Sequence, residues 1–101
     1  MTLPIVYRSE VKDDVESAYD WYESQREGLG EEFLTAISQA VNQIIAAPRR
    51  AGQLRGQARV VVTRRFPYVI YYVVQDDRIL VLGILHGKRD PSVWQARLEG
   101  D

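Results

Sequence analysis

The sequence predicts an α+β domain of order β-α-α-β-β-β with a short C-terminal helix, a helical hairpin packed on a small antiparallel sheet. Three observations carry this. Two stretches in the first half repeat apolar residues at helical spacing, with a pair of glycines between them. Two β-branched and aromatic runs in the second half flank a four-residue polar turn, as an antiparallel hairpin requires. A short segment centred on Ile5 and Val6 opens the chain.

Leu3 to Arg8 reads as that opening strand. Ser9 is a suitable N-cap, and Glu10, Asp13 and Asp14 suit a helix N-terminus, where anionic side chains meet the positive end of the dipole. Val11, Val15, Ala18 and Tyr22 then recur at intervals of four, three and four, one face of a helix ending near Arg26. Gly28 and Gly30 break it. A second helix follows from about Glu31 to Ala46, with Phe33, Ile37, Ala40, Val41 and Ile44 as its stripe, and Pro48 stops it.

Arg49 to Gln57 is polar, carries Gly52 and Gly56, and reads as a loop. Ala58 to Arg65 reads as a strand, interrupted by Phe66-Pro67. Tyr68 to Val74 is the next strand, and Gln75-Asp76-Asp77-Arg78 turns it back into Ile79 to His86. Asp90 as N-cap and Pro91 at the first helical position start a short helix through about Leu98. Both faces of the hairpin are apolar. Tyr68, Ile70, Tyr72 and Val74 share one face and Val69, Tyr71 and Val73 the other. In the returning strand Ile79, Val81 and Leu85 oppose Leu80, Leu82 and Ile84. The helices cover one face, so an exposed apolar groove for a partner is expected on the other.

At 101 residues the chain reads as one domain, 1–101, with a core that needs no disulfide or metal. Hydrophobic residues are 46% and charged residues 27%, as in a folded soluble protein. The lack of cysteine excludes a disulfide framework and a thiolate metal site, and a cytoplasmic location is expected. The N-terminus does not read as a signal peptide, and no apolar run approaches the roughly 20 residues needed to cross a bilayer. Residues 1–47 hold three basic against nine acidic residues, net −6, and residues 48–101 hold ten against five, net +5. The positive field thus belongs to the C-terminal half. The overall acidity argues against strong non-specific nucleic-acid binding, and no direct sequence-specific DNA binding by this chain alone is expected.

Arg65-Phe66-Pro67-Tyr68-Val69-Ile70-Tyr71-Tyr72 and His86-Gly87-Lys88-Arg89-Asp90-Pro91-Ser92-Val93-Trp94, in this element order, resemble the RelE/ParE superfamily of type II toxins. Ala47-Pro48 closing the second helix fits the same pattern, and the resemblance covers nearly the whole chain. It implies the toxic half of a toxin–antitoxin (plasmid stabilisation) module. It also implies a cognate antitoxin that wraps the toxin and fills its apolar surface. ParE-like members inhibit DNA gyrase by protein–protein contact. RelE-like members enter the ribosomal A site and cut mRNA without a metal or cofactor. The nuclease site supplies several lysines and arginines and a C-terminal tyrosine. Here Lys12 and Lys88 are the only lysines, and Trp94 stands near the tyrosine's place. These departures favour the ParE-like reading, with the nuclease, or a non-toxic interaction module of the same fold, as alternatives.

Under the resemblance Arg65 and Arg89 match the arginines at the strand ends. In a nuclease they would hold phosphate while His86 or Lys88 moves protons. Arg49, Arg50, Arg64, Arg65 and Arg89 form the expected target-binding set, and Tyr68, Tyr71, Tyr72 and Trp94 the antitoxin-binding set. Each has a plainer reading. His86, at a strand end beside Gly87, can hydrogen-bond locally. The arginines can be a solvated face or pair with acids. The tyrosines can belong to the core, and Trp94 can anchor the tail helix. Trp21, between Asp20 and Tyr22, is expected to be half exposed. No glycine-rich phosphate loop, catalytic carboxylate pair or metal-ligand spacing appears.

Overall fold

The structure, a computed structural model, describes residues 2–99. The chain runs β1 (Ile5–Tyr7), α1 (Glu10–Gln25), α2 (Leu29–Ala46), β2 (Gln53–Arg55), β3 (Ala58–Val62), β4 (Tyr68–Val74), β5 (Ile79–His86) and α3 (Ser92–Glu99). The strands form one sheet in the order β1-β5-β4-β3-β2. Every neighbouring pair is antiparallel except β1, which lies parallel to β5 with Val6 opposite Leu80. The chain can place β1 there because the helical hairpin carries it across the sheet before β2 begins.

The hairpin forms where the apolar stripes require it. Val11, Ala18 and Tyr22 of α1, and Phe33, Ile37, Ala40 and Ile44 of α2, are buried against Ile70, Tyr72, Ile79 and Val81 of the sheet. Tyr22 meets Phe33 and Phe66 with ring centroids 5.3 and 4.9 Å apart, so the two helices and the β3–β4 turn share one aromatic cluster. Gly28 adopts φ +88°, the left-handed region that a side chain disfavours, and turns the chain between the helices. Gly30 does not break the chain as expected. It is the second residue of α2, because the Glu23 carboxylate of α1 accepts the N–H groups of Gly28 (3.0 Å) and Gly30 (2.9 Å) and caps the new helix. Ser9 occupies the expected N-cap position of α1 but makes no side-chain cap. At α3 the expected cap is present: Asp90 Oδ1 accepts the Ser92 N–H at 2.9 Å.

Two boundaries differ from the sequence reading. Residues 53–55, read as loop, form the edge strand β2 against β3. The third strand ends at Val62, short of Arg65. Thr63, buried at 6% exposure, donates its hydroxyl to Phe66 O (2.8 Å) and Tyr68 O (3.1 Å), and Arg65 takes φ +70°. A strand cannot pass through that turn.

The alternation of β5 also departs from expectation. Ile79 and Val81 face the helices with Ile84, whereas Leu80 and Leu82 face away with Leu85. Ile84 and Leu85 are exchanged relative to strict alternation. The cause is a bulge: Tyr71 pairs with Gly83 but Tyr72 pairs with Val81, so Leu82 is an extra residue on β5. One added residue reverses every side chain that follows.

The bulge is held by a buried ion pair. Asp14 of α1 accepts two bonds from Arg97 of α3, at 2.7 and 3.1 Å, and one from the Ile84 N–H at 3.1 Å. Arg97 also donates to Leu82 O at 3.1 Å. The side chains of Arg97 and Asp14 are 13% and 7% exposed. A Cβ at position 83 would lie 2.8 Å from the Arg97 guanidinium, so glycine is what lets the arginine cross the backbone there.

The second sheet face is not the open groove that was expected. Tyr71, Val73, Leu80, Leu82 and Leu85 are all buried there together with Trp94. Trp94 stacks on Tyr71 at 5.2 Å and 11°, so α3 covers the face that the sequence reading left to a partner. Trp94 is thus the anchor of the tail helix, as its plainer reading held.

Removing one partner of the Asp14–Arg97 pair leaves a largely buried charge unpaired, a loss of about 3 kcal/mol by the usual scale for buried pairs. Asp14→Ala and Arg97→Ala are each expected to lower urea-unfolding stability by that order. The double variant is expected to lose less than the sum, and additive losses would show that the pair is not coupled.

Candidate functional site

A cleft of about 520 Å³ lies between α1, the end of β5 and α3. It forms because α1 lies on β5 and α3 returns across the same strand end. Glu10, Asp13, Asp14, Ser17 and Trp21 give the α1 wall, and Tyr68, His86, Arg89 and Arg97 face them. Trp21 is 59% exposed at the rim, matching the half-exposed position read from its neighbours.

His86 sits at the edge of this cleft with its ring 5.5 Å from that of Tyr68. Its Nδ1 accepts the Lys88 N–H at 3.0 Å. The neutral ring therefore carries its proton on Nε2 and keeps no free lone pair for general base catalysis. The local hydrogen bond in its plainer reading is what the structure contains. Burial pushes the Tyr68 phenol up from its ordinary value, with Arg89 pulling the other way, so the tyrosine is held protonated at neutral pH. Arg89 is exposed, and its guanidinium makes no hydrogen bond or ion pair among the described residues. Lys88 is exposed beside it.

Arg65 does not join Arg89. It is not among the residues that line this cleft, and it binds Glu32 of α2 at 2.7 Å. The same carboxylate takes Arg26 at 3.0 Å, and the two guanidinium groups hold its acid constant below the ordinary glutamate value. Arg65 also lies 5.6 Å from the Phe66 ring centroid. Its contacts tie the β3–β4 turn to the helical hairpin.

The remaining cations divide by location. Arg49, Arg50 and Arg64 are exposed. Arg50 rims a second groove, of about 460 Å³, between α2 and β3. Of the four aromatic residues read as antitoxin contacts, Tyr68 is half-buried and reaches the large cleft. Tyr71 and Trp94 lie inside the second core. Tyr72 is fully buried and donates its hydroxyl to Pro48 O at 2.7 Å.

Sequence reasoning missed Asp14 and Arg97. The signal for Asp14 was present: it lies three residues after Val11 and four before Ala18, inside the apolar stripe of α1, where a carboxylate needs a partner. Among the described residues no cluster of three or more His, Asp or Glu side chains is arranged to hold a metal ion, and no helix is long and apolar enough to cross a membrane.

The chain has clear relatives. The family model described as the ParE toxin of the type II toxin–antitoxin system, parDE, matches residues 5–91. Toxin ParE2 of Mycobacterium tuberculosis, from strains CDC 1551 / Oshkosh and ATCC 25618 / H37Rv, is 27% identical over 104 residues, covering 99% of this chain and 96% of the relative. A solved structure described as a chromosomal ParDE TA system from P. aeruginosa aligns with a TM-score of 0.74 at 17% identity. It covers 83% of this chain and 95% of its own. The likeness to that structure is one of fold.

The Glu32 geometry carries a pH signature. Its carboxyl constant is depressed in the folded state, so its favourable interaction is present above the unfolded glutamate value and is lost as pH falls through the folded one. Titration of carboxyl carbons by NMR is expected to place Glu32 below the ordinary glutamate value. Arg65→Ala is expected to move it upward, and an unmoved Glu32 would show that Arg65 does not hold it.

Proposed function

The chain belongs to the ParE toxin family of type II toxin–antitoxin systems, and from that premise we propose that it inhibits DNA gyrase by protein–protein contact in the cytoplasm. In this reading a cognate antitoxin neutralises it, and the pair serves plasmid stabilisation. The observation that carries contact over catalysis is the dispersal of the cations. A metal-free nuclease needs several of them around one phosphate, to stabilise a pentavalent centre. Arg65 is instead engaged by Glu32, and Arg89 stands in a cleft whose opposite wall carries Glu10, Asp13 and Asp14. His86 has its Nδ1 occupied. Arg97, the other arginine of the cleft, is taken up by Asp14, so among the described residues of the cleft a single unpaired arginine is left for an RNA phosphate.

Contact with a target asks for less. Arg49, Arg50, Arg64 and Arg89 are exposed, and in this reading they meet an acidic surface of the target, with Arg65 supporting the turn beside Arg64. Tyr68 offers the antitoxin a half-exposed ring at the cleft. Tyr71, Tyr72 and Trp94 support that surface from within the core.

One feature favours the second reading, a RelE-like ribosome-dependent mRNA endonuclease. His86, Lys88 and Arg89 follow one another at the end of β5 with Tyr68 alongside. Pulse labelling after induction without antitoxin separates the two. Early failure of DNA synthesis is expected, and early collapse of protein synthesis would replace gyrase by the ribosome. His86→Gln is expected to keep toxicity within about twofold, whereas loss of a general acid or base removes about 10²–10⁴-fold of rate. Arg89→Ala is expected to abolish growth inhibition. Growth unaffected by the wild-type chain would support the non-toxic module.

A further inference from the structure

From Pro48 to Gln75 the chain carries six arginines and no acidic residue. The fold uses two of them. Arg59 donates to Arg49 O at 3.1 Å and Ala51 O at 2.6 Å, and Arg65 pairs with Glu32. The side chains of Arg49, Arg50, Arg55 and Arg64 are exposed and make no hydrogen bond or ion pair among the described residues. Arg59 therefore pins the loop that presents Arg49 and Arg50 without neutralising either.

The groove beside Arg50 has the opposite character. Its walls are Ala46, Ala47 and Ala51 with Ile44 and Val61, and Gln43 stands at its edge. Tyr72 lies beneath them, fully buried, with its hydroxyl bound to Pro48 O. Alanine walls around about 460 Å³ leave room for one bulky apolar side chain supplied from outside.

We propose that this groove and its arginine rim receive an acidic segment of the cognate antitoxin. One bulky apolar residue of the segment sits between the alanines of the groove, and flanking carboxylates pair with Arg49 and Arg50. The proposal rests on the toxin–antitoxin reading above and names the face and the chemistry of the partner. Guanidinium groups that no internal acid engages are suited to bidentate carboxylate pairing. A short acidic peptide fits the charge pattern better than a nucleic acid. At physiological ionic strength a charge is felt over about 8 Å, so a peptide senses only the local arginines. A long polyanion would also meet the first 47 residues, which carry a net −6.

Two measurements on the full-length chain test this with the purified cognate antitoxin as the probe. Arg49→Glu/Arg50→Glu is expected to weaken the antitoxin Kd at least tenfold and to flatten its salt dependence. Lys12→Glu, a reversal on α1, is expected to leave Kd within twofold. Because the chain has no cysteine, Ala46→Cys and Lys12→Cys each give a single reactive thiol. The antitoxin is expected to slow alkylation at position 46 more than tenfold and to leave position 12 unchanged. Unaltered affinity of the double variant, or an unprotected position 46 in the complex, overturns the proposal. Protection that appears without antitoxin as the chain is concentrated would assign the groove to a second copy and also overturn it. If the wild-type chain binds no antitoxin, the toxin–antitoxin reading itself fails. With wild-type binding intact, a failure of the variants concerns this face alone.

Discussion

The Asp14–Arg97 pair is the constraint on which the rest of the structure depends. It joins three elements distant in the chain: α1, the bulge of β5 and α3. The bulge inserts Leu82 and turns Ile84 toward the helices and Leu85 toward Trp94. Without it, the last residues of β5 would present the wrong faces to both cores. Bulges are opened by unpaired backbone groups, and here those groups have partners: Ile84 N–H binds Asp14 and Leu82 O binds Arg97. The arginine carries its charge in this site because the carboxylate raises its already high acid constant. A buried ion pair adds little net stability over an apolar pair, but it specifies geometry. What it specifies here is the position of α3, and α3 closes the second sheet face.

That closure explains where sequence reasoning succeeded and where it did not. The helical stripes, the β4–β5 hairpin and the capped tail helix were legible because each is set by neighbours within a few positions. Gln75 N–H bonds Arg78 O as a tight turn demands, and Asp90 caps α3 from two residues away. The exchanged faces of Ile84 and Leu85 were not legible, since strict alternation holds no record of an extra residue. Gly83 marked the place, but its meaning needed Arg97, fourteen positions later. The expected open groove failed for the same reason. Trp94 was read as an anchor, yet the extent of the surface it covers follows from where Arg97 is tethered.

The candidate site was legible in residue type more than in arrangement. Arg65 and Arg89 were paired by motif, and the fold separates them. Arg65 takes a left-handed conformation at the β3–β4 turn and serves Glu32, while Arg89 stands at the cleft unengaged. His86 was the natural proton carrier by type. Its position one residue before Gly87 lets the Lys88 N–H fold back onto Nδ1, a local bond that decides the tautomer before any substrate arrives.

The accounting of arginines separates structural cations from those left for partners. Arg97, Arg65 and Arg59 each answer a need of the fold: a buried carboxylate, a turn to be tied down, and two loop carbonyls. A folded chain gains little from exposed arginines beyond these, because isolated surface pairs contribute only fractions of a kcal/mol. Yet Arg49, Arg50, Arg55 and Arg64 remain in a stretch with no acid, although nine acids were available in the first 47 residues. The two populations are divided along the chain: α1 and α2 carry the acids, and the loop and strands that follow carry the arginines. Keeping them apart preserves a field that internal pairing would have cancelled. A toxin that must be recognised by an antitoxin has use for such a field, since charge complementarity speeds encounter and rejects wrong partners. The apolar groove beside Arg50 then supplies what charge alone does not, a place for a side chain whose burial slows release.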